Sequence, residues 1–139
     1  MDIKHYLNKV KAGRLKNTPK RRAVIGLFLR GNKYLGPQEV QRVLKDQFSR
    51  LGLPSVYRIL EELYQLGILV KVEKNRQLYY ALCRIPHHDH HHFICKKCKK
   101  VEEVDYCNFK EVSEFIEREL NGKVESHLLQ IEGLCSQCK

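Results

Sequence analysis

Apolar positions along the chain keep a helical period through its first half and then switch to alternation. Thr18 before Pro19 reads as an N-cap with proline in the first helical turn. "PKRRAVIGLFLRG" then carries Ala23, Val24, Leu27 and Phe28 on one face and ends at Gly31 as a C′ residue. A second helix is predicted from Pro37 through "QEVQRVLKDQF", with Val40, Val43 and Leu44 inward. A third begins near Pro54-Ser55 and runs to Gly67, with Val56, Ile59, Leu60, Leu63 and Leu66 on its buried face. After Gly67 the runs "ILVKVE" and "QLYYALC", separated by the polar "KNR", read as a β-hairpin. Three short helices followed by a hairpin are the order of a winged helix, in which the third helix lies in the DNA major groove and the wing touches backbone.

The remainder reads as an α/β module. "KKVEEVD" is predicted as a strand, "NFKEVSEFIERELNG" as a helix ending at Gly122, and "KVESHLLQIEG" as another strand. The fold class is therefore α+β, in two modules small enough that each has a thin core and gains from a metal staple.

Charge separates the same two halves. Residues 1 to 84 hold 18 Lys and Arg against 6 Asp and Glu, a net +12, whereas residues 85 to 139 hold 8 against 10, a net −2. A basic first module implies a polyanionic partner. Lys16 and Arg21, with Lys11, Arg14, Lys20 and Arg22 around them, and Lys71, Lys74 and Arg76 on the predicted wing, are suited to phosphates. Tyr57 and Arg58, near the start of the third helix, are the candidates for base edges. The longest uninterrupted apolar runs, "ILV" and "FI", are far too short to span a bilayer, and "MDIKHYLNKVKAGRLKN" has no apolar signal region. A cytoplasmic protein with no membrane partner is expected.

Four of the six cysteines form two C-x-x-C pairs, Cys95/Cys98 and Cys135/Cys138. Two such knuckles supply four thiolates for a closed tetrahedral structural zinc site. Between Cys83 and Cys95 runs "HHDHHH", residues 87 to 92. In an extended segment His88, His90 and His92 face one side and Asp89 and His91 the other. Cys83 is placed to join His90 and His92, a borderline-soft set that suits Zn(II) better than Fe(II) or Mn(II). Cys107 reads as a small buried hydrophobe.

"LKNTPKRRAVI", "LPSVYRILEELYQLGIL", "HHDHHHFICKKCKKVEE" and "HLLQIEGLCSQC" together make the whole chain resemble the ferric uptake regulator family of metal-dependent transcription factors, most closely its zinc-sensing (Zur) branch. The resemblance implies a winged-helix DNA-binding domain over 1–83, a hinge with metal ligands over 84–92 and an α/β dimerisation domain over 93–139. It implies a homodimer on palindromic operator DNA. It matches Cys95, Cys98, Cys135 and Cys138 to structural zinc, and Cys83, His90 and His92 to a regulatory metal whose fourth ligand is Glu103, a carboxylate that some members recruit, with Glu73 and His88 as the alternatives. Asp89, His91 and His127 match an accessory metal set whose usual glutamate falls on Lys110, with Glu111 beside it. Ser55 matches a phosphate contact, and Tyr57 with Arg58 a base-reading pair. Two positions depart from the pattern: Tyr34 stands where many iron and peroxide sensors place a histidine, and Val70 where zinc sensors place a ligand.

The expected function is zinc-responsive repression of metal-uptake genes, with one zinc structural and a second acting as co-repressor. The alternatives within the family are an iron-, nickel-, manganese- or peroxide-responsive member, loaded with Fe(II), Ni(II) or Mn(II) in the metal-sensing cases. From other classes, the alternatives are a zinc-stabilised structural or interaction protein and a zinc hydrolase. No H-E-x-x-H and no clear general base accompany the histidines, so no enzyme activity and no small-molecule substrate are expected.

Overall fold

Prolines open three of the helices. Our computed structural model describes residues 2–84, 91–127 and 129–139, and its chain divides into two compact units, Met1–Arg84 and Ile85–Lys139. The first unit contains α1 (Ile3–Ala12), α2 (Pro19–Gly31), α3 (Pro37–Leu44), α4 (Leu53–Gln65), β1 (Leu69–Lys74) and β2 (Gln77–Leu82). Proline lies in the first turn of α2, α3 and α4, where its missing N–H has no intrahelical partner to lose. Thr18 caps α2 by accepting from the Arg21 amide at 3.2 Å, and the Glu39 carboxylate accepts from the Gly36 amide at the start of α3. The expected winged helix is thus present, preceded by α1, a helix that the sequence reading had left out.

That added helix changes which faces are buried. Tyr6 and Val10 of α1 join Val24, Ile25 and Phe28 of α2, Val40 and Leu44 of α3, and Val56, Ile59, Leu60 and Leu63 of α4 in one core. Helix α2 packs against α1, α3, α4 and β2, so Ile25 is fully buried, and Ala23 and Leu27 are only partly so. Val43, expected inward, is 53% exposed. Pro37, Val40 and Leu44 occupy a narrow arc of the eight-residue α3 and Val43 falls outside it. Helix α2 ends through Asn32, which takes the left-handed conformation at φ 44°, rather than through Gly31. The hairpin turns at Asn75 and Arg76, both at positive φ (52° and 61°), as a two-residue turn between right-twisted strands requires.

The second unit contains β3 (His91–Cys95), β4 (Val101–Val104), α5 (Phe109–Leu120) and β5 (Gln130–Gly133). Strand β3 is central, antiparallel to β4 and parallel to β5. The connection from β3 to β5 therefore passes through β4 and α5. Helix α5 ends at Asn121 (φ 50°), one residue before the predicted Gly122. The last strand is shorter than "KVESHLLQIEG" suggested, because among the described residues of that stretch Gln130–Gly133 are the ones that pair with β3. Ile94, Cys95 and Val101 form its small buried centre, with Cys135 beside them.

Candidate metal centre and nucleic-acid interface

The two C-x-x-C segments are tight turns that aim their sulfurs at one point. Lys99 takes φ 66° to close the first, with its amide bonded to the Cys95 carbonyl at 3.0 Å. The second closes through the Cys138 amide on the Cys135 carbonyl at 2.9 Å, and the Lys96 amide on the Gly133 carbonyl at 2.9 Å ties the two segments together. As a result the Sγ atoms of Cys95, Cys98, Cys135 and Cys138 all lie within 4.8 Å of one another. Cys98 and Cys135 are 3.8 Å apart. Sulfurs bound tetrahedrally at the zinc–thiolate distance of about 2.3 Å would be separated by about 3.8 Å, so the donor set fits such an ion.

Electrostatics in the cluster favour a cation. Backbone amides of Cys98 and Cys135 aimed at Cys95 bring its thiol down to about 6, while the neighbouring Cys135 thiol and burial push Cys138 up to about 12. One sulfur is thus readily ionised beside another that keeps its proton, and a bound cation would displace the remaining protons.

In the first unit α4 buries Val56, Ile59, Leu60 and Leu63 and presents the exposed Tyr57 and Arg58 on its other side. Ser55, in the same first turn, is half-buried. Lys71 of β1 reaches α4, with its Nζ 2.9 Å from Glu61 and 4.1 Å from the centre of the Tyr64 ring. Lys71 thereby lowers the Glu61 carboxyl and is itself raised by it. Lys16 is exposed. Arg21 is instead held inside the unit. Its Nε and Nη2 donate to Glu62 Oε2 at 3.0 and 2.8 Å, and its Nη1 donates to the Lys16 carbonyl at 3.0 Å.

The histidine run is split by its strand. His87, His88, Asp89 and His90 lie outside the described residues. His91 and His92 begin β3 and pair with Val104 and Glu103 of β4. His91 is buried, and its Nε2 is 3.3 Å from Nε2 of His127. Glu111 is exposed at the start of α5 and is not among the donors gathered there. Cys83 is buried after β2, its amide on the Ile68 carbonyl at 2.9 Å and its carbonyl accepting from the Tyr6 hydroxyl at 3.4 Å.

Comparison with known proteins places this arrangement. The model of the Ferric uptake regulator family matches residues 12–132. The chain belongs to the ferric uptake regulator family. It is 31% identical over 126 residues to the ferric uptake regulation protein of Bacillus subtilis (strain 168), covering 88% of this chain and 85% of that one. Its fold is similar to a zinc uptake regulator solved with zinc and DNA, with a TM-score of 0.81, 22% identity, and coverage of 97% of this chain and 91% of that one. The ferric uptake regulator of Francisella tularensis, solved with iron, gives a TM-score of 0.62 at 30% identity, covering 89% of this chain and 94% of that one.

The family fixes the general function: the chain is a metal-responsive, DNA-binding transcriptional regulator and not an enzyme, and the family binds operator DNA as dimers. Among the described residues no helix is long and apolar enough to cross a membrane. Tyr34 has a packing role that suits its departure from the family pattern. It is buried, its ring meets Tyr79 edge-on at 5.0 Å, and its hydroxyl accepts from Lys74 Nζ at 3.2 Å. Sequence reasoning missed Cys107, which is half-buried rather than a core hydrophobe and lies 3.3 Å from His127 Nε2. The signal that could have found it is a fifth thiol in a module already rich in ligands.

Proposed function

We propose that this regulator senses zinc and represses metal-uptake genes, with zinc as co-repressor and a second zinc held structurally by Cys95, Cys98, Cys135 and Cys138. The observation that carries the metal assignment is Cys83, a buried thiol in a proposed regulatory set with His90, His92 and Glu103. A thiolate with imidazoles and one carboxylate selects Zn(II) over Fe(II) and Mn(II) by softness. The names of the relatives do not decide between metals, since they include iron and zinc regulators.

DNA recognition is assigned to α4, with Tyr57 and Arg58 at base edges and Ser55 and Lys16 at phosphates. Arg21 serves by fixing the Lys16 segment against α4. Two copies would read two operator half-sites, in the cytoplasm, and metal would act through its greater affinity for the DNA-competent state.

The test loads the purified chain, with its structural site filled, with Zn(II), Fe(II), Mn(II) or Ni(II) at buffered free concentrations. Binding is followed on operator DNA selected in vitro with each metal in turn. Zn(II) is expected to activate binding at the lowest free concentration, and Cys83→Ser to abolish the metal dependence and lose one zinc per chain while the structural zinc remains. Activation by Fe(II) far below the Zn(II) requirement would assign the chain to iron.

A further inference from the structure

The two residues that close the first unit are held from three sides. Strand β2 ends at Leu82, paired with Leu69, and the Cys83 amide extends that ladder by donating to the Ile68 carbonyl at 2.9 Å. The Cys83 carbonyl accepts from the Tyr6 hydroxyl of α1 at 3.4 Å. One residue on, Arg84 Nε donates to Asn32 Oδ1, at the end of α2, at 3.2 Å. Both peptide planes that flank the Cys83 Cα are therefore anchored. Its Cα–Cβ bond has one direction, and only the staggered χ1 rotamers are left to its sulfur.

Neither partner is explained by its own helix. Tyr6 is 1% exposed inside the core, where phenylalanine would fill the same space, and a buried hydroxyl is costly unless it is bonded. Asn32 takes the left-handed conformation, φ 44° and ψ 37°, which glycine adopts with less strain. What the tyrosine adds is a donor for Cys83, and what the asparagine adds is an acceptor for Arg84. Two polar groups from separate helices, neither required by the element that carries it, thus meet consecutive residues at the end of the unit.

We propose that Tyr6 and Asn32 are positioning residues for the regulatory metal, a role that rests on Cys83 being a ligand of that metal. They latch Cys83 and Arg84 onto α1 and α2, so the Cys83 thiolate is oriented before the ion arrives. A ligand already fixed loses little conformational freedom on binding, and the latch raises affinity without touching the ion.

Co(II) is the probe, added to the full-length chain carrying Cys107→Ser, with its structural zinc measured at one per chain. Four of the six thiols are then held by zinc, so a near-ultraviolet sulfur-to-cobalt charge-transfer band reports Cys83, and its titration gives the affinity. Asn32→Gly and Tyr6→Phe are each expected to weaken Co(II) by about 2–10-fold, the net effect of one hydrogen bond. Asn32→Asp keeps an acceptor for Arg84 and is expected to retain the starting affinity. Urea unfolding of the same proteins without Co(II) separates positioning from folding. Asn32→Gly should leave the midpoint unchanged or higher, since glycine relieves the left-handed backbone. Unchanged Co(II) affinity in both Asn32→Gly and Tyr6→Phe overturns the latch and leaves Cys83 a ligand. A loss of affinity that appears only with a lowered midpoint assigns both residues to folding and overturns it too. Co(II) taken up by the starting chain without the band overturns the latch together with the reading of Cys83 as a ligand.

Discussion

His92 of β3 lies directly across the antiparallel ladder from Glu103 of β4. Directly opposed residues on such a ladder share one face, with Cβ atoms about 4.5–5.5 Å apart. An imidazole and a carboxylate therefore leave the sheet side by side, an arrangement suited to a common ion. Glu103→Gln keeps the shape and removes the charge. It is expected to weaken the regulatory metal by about 10–100-fold and to leave the structural zinc at one per chain, measured by competition against a metal indicator. Unchanged affinity would remove Glu103 from the ligand set.

Tyr57 and Arg58 project from α4 opposite its buried Val56–Ile59–Leu60 face. Replacing Arg58 by Ala is expected to cost about 1–3 kcal/mol of operator binding and to relax preference at one base position. Lys16→Ala should weaken all sequences alike and reduce the salt slope by about one phosphate contact. Binding titrations at several salt concentrations, on the operator and on point variants of it, separate the two effects.

The Arg21 guanidinium gives two donors to a single Glu62 oxygen, and the two side chains are only 14% and 24% exposed. It also reaches the Lys16 carbonyl, so it links the segment before α2 to α4. Glu62→Ala is expected to lower the stability of the first unit by about 1–2 kcal/mol, less than a fully buried charged hydrogen bond because water still screens the pair. Far-UV circular dichroism in urea would show it as a lower midpoint with unchanged slope.

Helices α2 and α4 and the hairpin were legible because Pro, Gly and the apolar period agree at each boundary, and the four-thiolate cluster was legible from spacing alone. Helix α1 was not read, although Ile3, Leu7 and Val10 with Tyr6 carry a helical stripe behind Asp2, which caps it by accepting from the Lys4 amide. With that helix left out, the face read for α2 held the buried Val24 and Phe28 but also the partly buried Ala23 and Leu27, and missed Ile25. Cys107 was illegible for another reason. His127 lies in a stretch that the sequence reading placed in a strand, whereas β5 begins only at Gln130, so no period links it to Cys107, 20 residues away.

Helix α5 has no buried residue, yet Val112, Phe115 and Leu120 on it are apolar and exposed, as are Ile131 and Leu134. An unpartnered apolar face in a member of a dimeric family is the expected seat of the second copy. Phe115→Glu puts a charge at its centre and is expected to weaken dimerisation by about 2 kcal/mol or more, as loss of a central aromatic does. Sedimentation equilibrium would show monomers at concentrations where the parent chain is dimeric, with structural zinc retained. A dimer of unchanged affinity would place the interface elsewhere.

Arg76 stands at the tip of the wing in the left-handed region, φ 61°, directly after Asn75 at φ 52°. That turn is best served by Asn-Gly, because a side chain at the second position meets its own backbone. The arginine is therefore kept at a conformational cost of about 1 kcal/mol, and its charge is the compensating gain. Arg76→Gly should raise the unfolding free energy of the first unit by about that amount. It should also lower affinity for every DNA sequence and reduce the salt slope by about 0.9 for one lost phosphate contact. Urea unfolding and salt-dependent binding on the same protein test the trade directly. A variant that is more stable and binds DNA unchanged would show that the wing tip does not meet the backbone.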